Sequence, residues 1–220
     1  MASVHRTPTP LRYGDFVRSS SAGEQSPDQV GDSLVGQNRE ASSQWHDERY
    51  NLNMQLNQLA PDFELPDLEG KLHRLSDTRG RITIINFWSA ECPHSERTDH
   101  LTMACLEKWG EEVVMLPISA NRSESVQMVV EAAKTRGLPT VLMDAELFVT
   151  DLYEAVTTPH VFVIDRAGIL RYRGALDDVR FRQPVVTRFY LEEVVEALLD
   201  EREPPLQETL AYGCAIVREI

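Results

Sequence analysis

Arg81-Ile82-Thr83-Ile84-Ile85-Asn86-Phe87-Trp88-Ser89, followed by Ala90-Glu91-Cys92-Pro93-His94-Ser95, is the stretch that decides the fold. Its first part is an almost uninterrupted run of β-branched and aromatic residues, the pattern of a strand buried on both faces. Its second part opens a helix with Cys92 at the start. A strand that delivers a cysteine to a helix N-terminus makes a reactive thiol, because the first-turn amides and the helix dipole favour thiolate over thiol. Ser95 stands where the second cysteine of a C-x-x-C redox motif would be, so Cys92 cannot close the ordinary short disulfide.

Composition narrows the function classes. The chain has 220 residues, 42% of them hydrophobic, and a net charge of −13. That is enough apolar sequence for one domain of ordinary size. The acidic balance argues against nucleic acid, which needs a basic surface, and against anionic membrane surfaces. No apolar run approaches the roughly 20 residues that span a bilayer. Residues Met1 to Pro8 lack the apolar core of a secretory signal, and the expected compartment is the cytoplasm. Three cysteines, Cys92, Cys105 and Cys214, are too few for a disulfide scaffold and fit a reducing environment.

The chain divides into an N-terminal extension, residues 1–56, and a domain over 57–220. Ser19 to Asp28 is polar and aperiodic, a composition that does not bury enough surface to fold by itself. The extension still carries two apolar knots: Leu11, Tyr13, Phe16 and Val17, then Trp45, Tyr50, Leu52, Met54 and Leu56. Either the segment is an irregular leader or it is a strap that docks on the domain or on a protein partner.

Strands and helices alternate after Ala60. Phe63-Leu65 and Lys71-Arg74 flank the turn Asp67-Gly70 as a hairpin. A helix is expected from about Ser95 to Trp109, with Leu101, Cys105 and Trp109 on its inner stripe. Val113-Ile118 reads as the next strand. Ser123 is expected to cap a helix whose inner face is Val126, Val129, Val130 and Ala133, ended by Gly137 and Pro139. A short strand at Thr140-Met143 and a helix near Glu146-Tyr153 follow. Strands Pro159-Ile164 and Ile169-Tyr172 surround the turn Asp165-Gly168, and Leu191, Val194, Val195 and Leu198 mark a last amphipathic helix. This alternation implies an α/β fold with helices on both faces of a central sheet.

The ordered blocks resemble the thioredoxin-like superfamily, in its redoxin and peroxiredoxin-like branch. Ala60-Leu65 is similar to the family's opening segment, Asn86-Ser95 to its active-site strand and loop, and Thr157-Asp165 to its cis-proline segment. Tyr172-Asp178 and Tyr212-Ile216 resemble a peroxiredoxin-like subgroup that often ends in a Gly-Cys segment. The resemblance implies a central mixed β-sheet flanked by helices and thiol chemistry with no cofactor and no metal. Asn86 departs from thioredoxin, which has a buried acid there. The peroxiredoxin pattern Pro-x-x-x-Thr-x-x-Cys is incomplete, with Ile85 at the proline and Ser89 offering only the hydroxyl of the threonine.

Each candidate residue has two readings. Cys92 is a reactive thiolate, helped by His94 if cationic and hindered by Glu91, or a relic thiol. Pro159, if cis, brings the Thr158 backbone beside Cys92 and Pro93, an edge suited to substrate; otherwise it simply starts a strand. Cys105 is thirteen residues along the helix from Cys92, too far to pair, and reads as structural. Cys214 resolves an oxidised Cys92 if the C-terminal segment folds back, with Gly213 permitting close approach; otherwise it is a free thiol. His94 and His160 with Cys92 match no strong metal signature. Asp177 and Asp178 read as a turn pair. Three functions stay open: a thiol redox protein acting on disulfides or peroxides, with Cys214, a small thiol or a protein as reductant; a non-catalytic binding or assembly subunit; and a glutathione- or metal-binding monothiol protein.

Overall fold

A computed structural model describes residues 54–218. The apolar knots of the extension up to Leu52, and the partner role expected of them, lie outside the described residues. Met54 and Leu56 pack on the domain, Met54 in its core. The hairpin forms as β1 (Glu64–Pro66) and β2 (Leu72–Arg74), with Leu65 opposite His73. Asp67 fixes its turn by accepting from the amides of Glu69 and Lys71, each at 2.9 Å.

The central strand β3 spans Ile82–Trp88, and every one of its residues is buried. Its side chains alternate between two apolar cores, as strand geometry requires. Ile85 and Phe87 join Phe63, Ile118, Tyr153 and Phe162 on one face. Ile82, Ile84 and Trp88 join Trp109, Val129, Tyr172 and Leu191 on the other. Fully burying such a side chain stabilises the fold by about 1.5–3 kcal/mol, so this strand anchors the domain. β4 (Val113–Ser119) lies parallel to β3, and β5 (Leu142–Met143) parallel to β4. Strand β6 (Thr157–Thr158) precedes β7 (His160–Ile164), which runs antiparallel to β3 and pairs in turn with β8 (Leu170–Gly174). The five-stranded order is β5-β4-β3-β7-β8, a mixed sheet.

Among the described residues, four α-helices cover it. α1 (Pro93–Trp109), α2 (Val126–Arg136) and α4 (Tyr190–Leu199) supply the second core, while α3 (Phe148–Leu152) and the residues after it supply the first. Two expectations are corrected. The cap of α2 is Ser125, whose hydroxyl accepts from the Met128 amide, and not Ser123. The helix therefore turns only the i, i+4 pair Val129 and Ala133 inward, leaving Val126 and Val130 exposed; Leu101 on α1 is exposed likewise. No helix among the described residues is long and apolar enough to cross a membrane.

The chain beyond α4 returns as an arm along the sheet edge. On the sheet side, the Arg173 amide donates to the Gln207 carbonyl of the arm and the Arg173 carbonyl accepts from the Thr209 amide, and Gly174 (φ 145°) leaves room where a side chain would strike Thr209. The arm ends in β9 (Cys214–Ala215), antiparallel to β6, with Cys214 opposite Thr158 and Ala215 opposite Thr157.

Candidate active site

Cys92 is the N-cap of α1, with Pro93 at the first helical position, where the missing N–H costs nothing. The residue is only 2% exposed. The Thr158–Pro159 bond is cis and brings the Thr158 carbonyl to 2.9 Å from the Cys92 sulfur, where the protonated thiol donates to it. On the other side stands Cys214, sulfur to sulfur 2.7 Å. Both cysteines are free thiols.

The two sulfurs have opposite proton affinities. Burial alone would raise the Cys92 pKa, but the polar groups turned towards its sulfur, the Cys214 thiol first and then Thr158 and the amides of Ser95 and Cys214, outweigh it, and the net shift is downward. Cys214 is pushed up to about 11, by burial and then by sharing its hydrogen bond with Cys92. Cys92 is thus the sulfur that ionises first of the two, and Cys214 the S–H beside it that can donate to the Cys92 thiolate once formed. His94 acts on the pair through its backbone amide, directed at the Cys214 sulfur; its ring meets Tyr212 edge-on at 5.1 Å. Ser95 is fully buried, and its hydroxyl is without a hydrogen-bond partner among the described residues.

Ser89 works on the loop. Its oxygen accepts from the Cys92 amide at 3.1 Å and it donates its own proton to Glu124. Glu124 is buried and also accepts from the amides of Ala90 at 3.1 Å and Glu91 at 3.3 Å, and from the Asn121 side chain at 3.1 Å. Arg136 clamps the loop from the opposite side: it donates to the Ala90 carbonyl at 2.6 Å and the Ser89 carbonyl at 3.3 Å, and lies over the Trp88 ring. Asp99 completes this cluster by accepting from Trp88 Nε1 at 3.0 Å and from Arg136 at 3.4 Å. Burial raises its pKa against those two partners.

Glu124, Asn121, Asp99 and Arg136 were not singled out by sequence reasoning. One signal was available for the first two: they follow β4, and loops at the carboxyl ends of adjacent parallel strands converge. The other expected residues fall into place as structure. Cys105 is buried and its pKa is pushed up to about 11 by burial and by the Glu192 carboxylate. Asp177 pairs with Arg97 at 2.6 Å, and Asp178 accepts from the Thr187 amide and hydroxyl and from Gln183. His160 packs against Phe162, and burial lowers its pKa to about 4. Among the described residues, no three His, Cys, Asp or Glu side chains group to hold a metal.

Comparison with known proteins gives the family. Residues 56–173 match the model of the AhpC/TSA family. Thiol-disulfide oxidoreductase ResA of Geobacillus thermodenitrificans is 34% identical over 113 residues, which cover 50% of this chain and 63% of that protein. The chain therefore spans less than two thirds of the length of this relative. Among solved structures, an uncharacterized conserved protein of Geobacillus kaustophilus superposes with a TM-score of 0.69 and 27% identity, over 76% of this chain and 94% of the other. A hypothetical protein of Sinorhizobium meliloti 1021 gives 0.68 and 27%, over 74% and 94%. Both fold as this chain does.

Proposed function

From the premise that this chain belongs to the AhpC/TSA family, we propose that it is a thiol-disulfide oxidoreductase in which Cys92 attacks and Cys214 resolves. The Cys92 thiolate attacks one sulfur of a disulfide R–S–S–R, forming a mixed disulfide and expelling RS⁻, which takes a proton from solvent. Cys214 then passes its proton to solvent, and its sulfur attacks the Cys92 sulfur, expelling the second RS⁻, which takes up a proton from solvent in turn. The balance is one R–S–S–R reduced to two RSH while two cysteines become one disulfide. An external thiol reductant, expected to be available in a reducing cytoplasm, returns the pair to dithiol.

The observation that carries this reading is the 2.7 Å approach of the Cys92 and Cys214 sulfurs, which supplies the resolving thiol that Ser95 lacks. The low proton affinity of Cys92 suits the attacking group, and the high one of Cys214 keeps it from competing for substrate. Disulfides are favoured over hydroperoxides because the Ser89 hydroxyl is committed to Glu124 and to the Cys92 amide, leaving it no proton to offer a peroxide oxygen. A single-turnover titration with excess oxidised glutathione tests the scheme. Wild-type protein is expected to release two equivalents of glutathione, and Cys214→Ser one, with the second held on Cys92. Two equivalents from Cys214→Ser would refute a resolving role.

A further inference from the structure

We propose that strand β9 is a resident competitor for the backbone edge beside Cys92, so that low-molecular-weight disulfides reach the thiolate while extended polypeptides are turned away until the arm lifts. This rests on Cys92 being the attacking sulfur. An extended polypeptide binds a free sheet edge by adding a strand, with main-chain hydrogen bonds providing the affinity. The edge next to Cys92 is Thr157–Thr158, and β9 already takes both positions, Ala215 against Thr157 and Cys214 against Thr158. The pairing continues with the Ile216 amide donating to the Val156 carbonyl at 3.2 Å. Nothing else fits between the strands: a Cβ on Gly213 would lie 2.1 Å from the Thr158 carbonyl oxygen.

The arm is held after Cys214 by contacts with no other evident purpose. Asn121 uses both ends of its amide, donating to Glu124 and accepting from the Val217 amide at 2.9 Å. The Arg122 amide donates to the Val217 carbonyl at 3.3 Å. Arg218 donates to the Ala155 carbonyl at 2.7 Å and to Asp151 at 3.1 Å, and Ile216 is buried in the first core. Asn121 thereby ties the carboxylate that holds the active-site loop to the strand that carries Cys214, and is the positioning residue of the latch. A small disulfide needs only a line of approach to the Cys92 sulfur, which rotation of the half-buried Cys214 side chain opens. A polypeptide needs the edge as well.

The test uses the full chain as wild type, Gly213→Ala and Arg218→Ala, the latter removing the arm's bonds to Ala155 and Asp151 without touching the active-site loop. Each is mixed with oxidised glutathione or with insulin as the polypeptide disulfide, and the loss of free Cys92 is followed by rapid alkylation and mass spectrometry. Gly213 and Arg218 lie outside the five-stranded sheet, and matching far-ultraviolet circular dichroism verifies folding. Wild type is expected to react with insulin about tenfold more slowly per disulfide than with glutathione; both variants are expected to raise the ratio of the insulin rate to the glutathione rate by about tenfold, the ratio cancelling any change in Cys92 reactivity common to both disulfides. Equal wild-type rates with both disulfides, or variants that accelerate both alike, would overturn the competitor role while leaving Cys92 as the attacking sulfur. A Cys92 that is alkylated but reacts with neither disulfide would overturn that underlying reading, and the proposal with it.

Discussion

Cys92 and Cys105 stand on the same helix, both buried, and differ in almost everything that matters for chemistry. At the N-cap, Cys92 faces the first-turn amide of Ser95, the Cys214 thiol and amide, and Thr158, which together overcome the burial that would otherwise raise its pKa. In the third and fourth turns Cys105 has no spare amide, because each is already bonded along the helix. Burial there dominates, the carboxylates of Glu192 and Glu196 add to it, and the Lys108 ammonium offsets it only in part. Burial by itself therefore makes a thiol inert. Reactivity comes from donors aimed at the sulfur.

The largest effect expected from this contrast is on turnover. Cys92→Ser should lower the rate of disulfide reduction by roughly a thousandfold or more, since a hydroxyl is not ionised at neutral pH, while Cys105→Ser should leave it within about twofold. Steady-state assays with a small disulfide would measure both, and a comparable loss from Cys105→Ser would break the distinction.

A change aimed at the loop alone sharpens it. Glu124→Ala removes the acceptor shared by Ser89, the Ala90 and Glu91 amides and Asn121. It is expected to cost about 1–3 kcal/mol in urea unfolding and to slow alkylation of Cys92 at neutral pH. Labelling of Cys105 in the folded state should not change. A Cys92 rate untouched by Glu124→Ala would mean that the loop does not depend on this carboxylate.

The effect furthest from the neutral-pH chemistry belongs to Cys105 and appears in alkali. Its folded pKa of about 11 lies above the ordinary cysteine value of about 8.5. Between those values the unfolded chain has released the proton and the folded chain still holds it, so stability falls as pH rises through that window, by up to about 1.4 kcal/mol per pH unit. Cys105→Ala should lose less stability than wild type between pH 8.5 and 11, compared by denaturant midpoints. Parallel curves would contradict the raised pKa.

Much of this was legible in the residues. β3 could be read because Ile82 to Trp88 is apolar on both faces, and its observed limits match the pattern. The helix start at Cys92 followed from the end of that strand, and the cis bond before Pro159 from the resemblance of its flanking residues. The stripes of the surface helices were read less well. Val126, Val130 and Leu101 fit a helical period, but the sheet touches only a narrow face of each helix. Glu124 was missed for a different reason. A glutamate in a loop after a strand reads as solvated, and its burial is explained only by four donors, three of them from the loop after β3. The place of Cys214 depends on where the arm crosses the sheet edge, which is decided by Gly174, Thr209 and Gly213 together and by no local pattern.

The account turns on the pairing of Cys92 with Cys214. Wild-type protein oxidised with one equivalent of a small disulfide, digested without reduction and sequenced by tandem mass spectrometry, tests it directly. The account predicts one dominant cross-linked peptide joining Cys92 to Cys214, with Cys105 alkylated as a free thiol. Recovery of Cys92 as a stable mixed disulfide beside a freely alkylated Cys214 would contradict it.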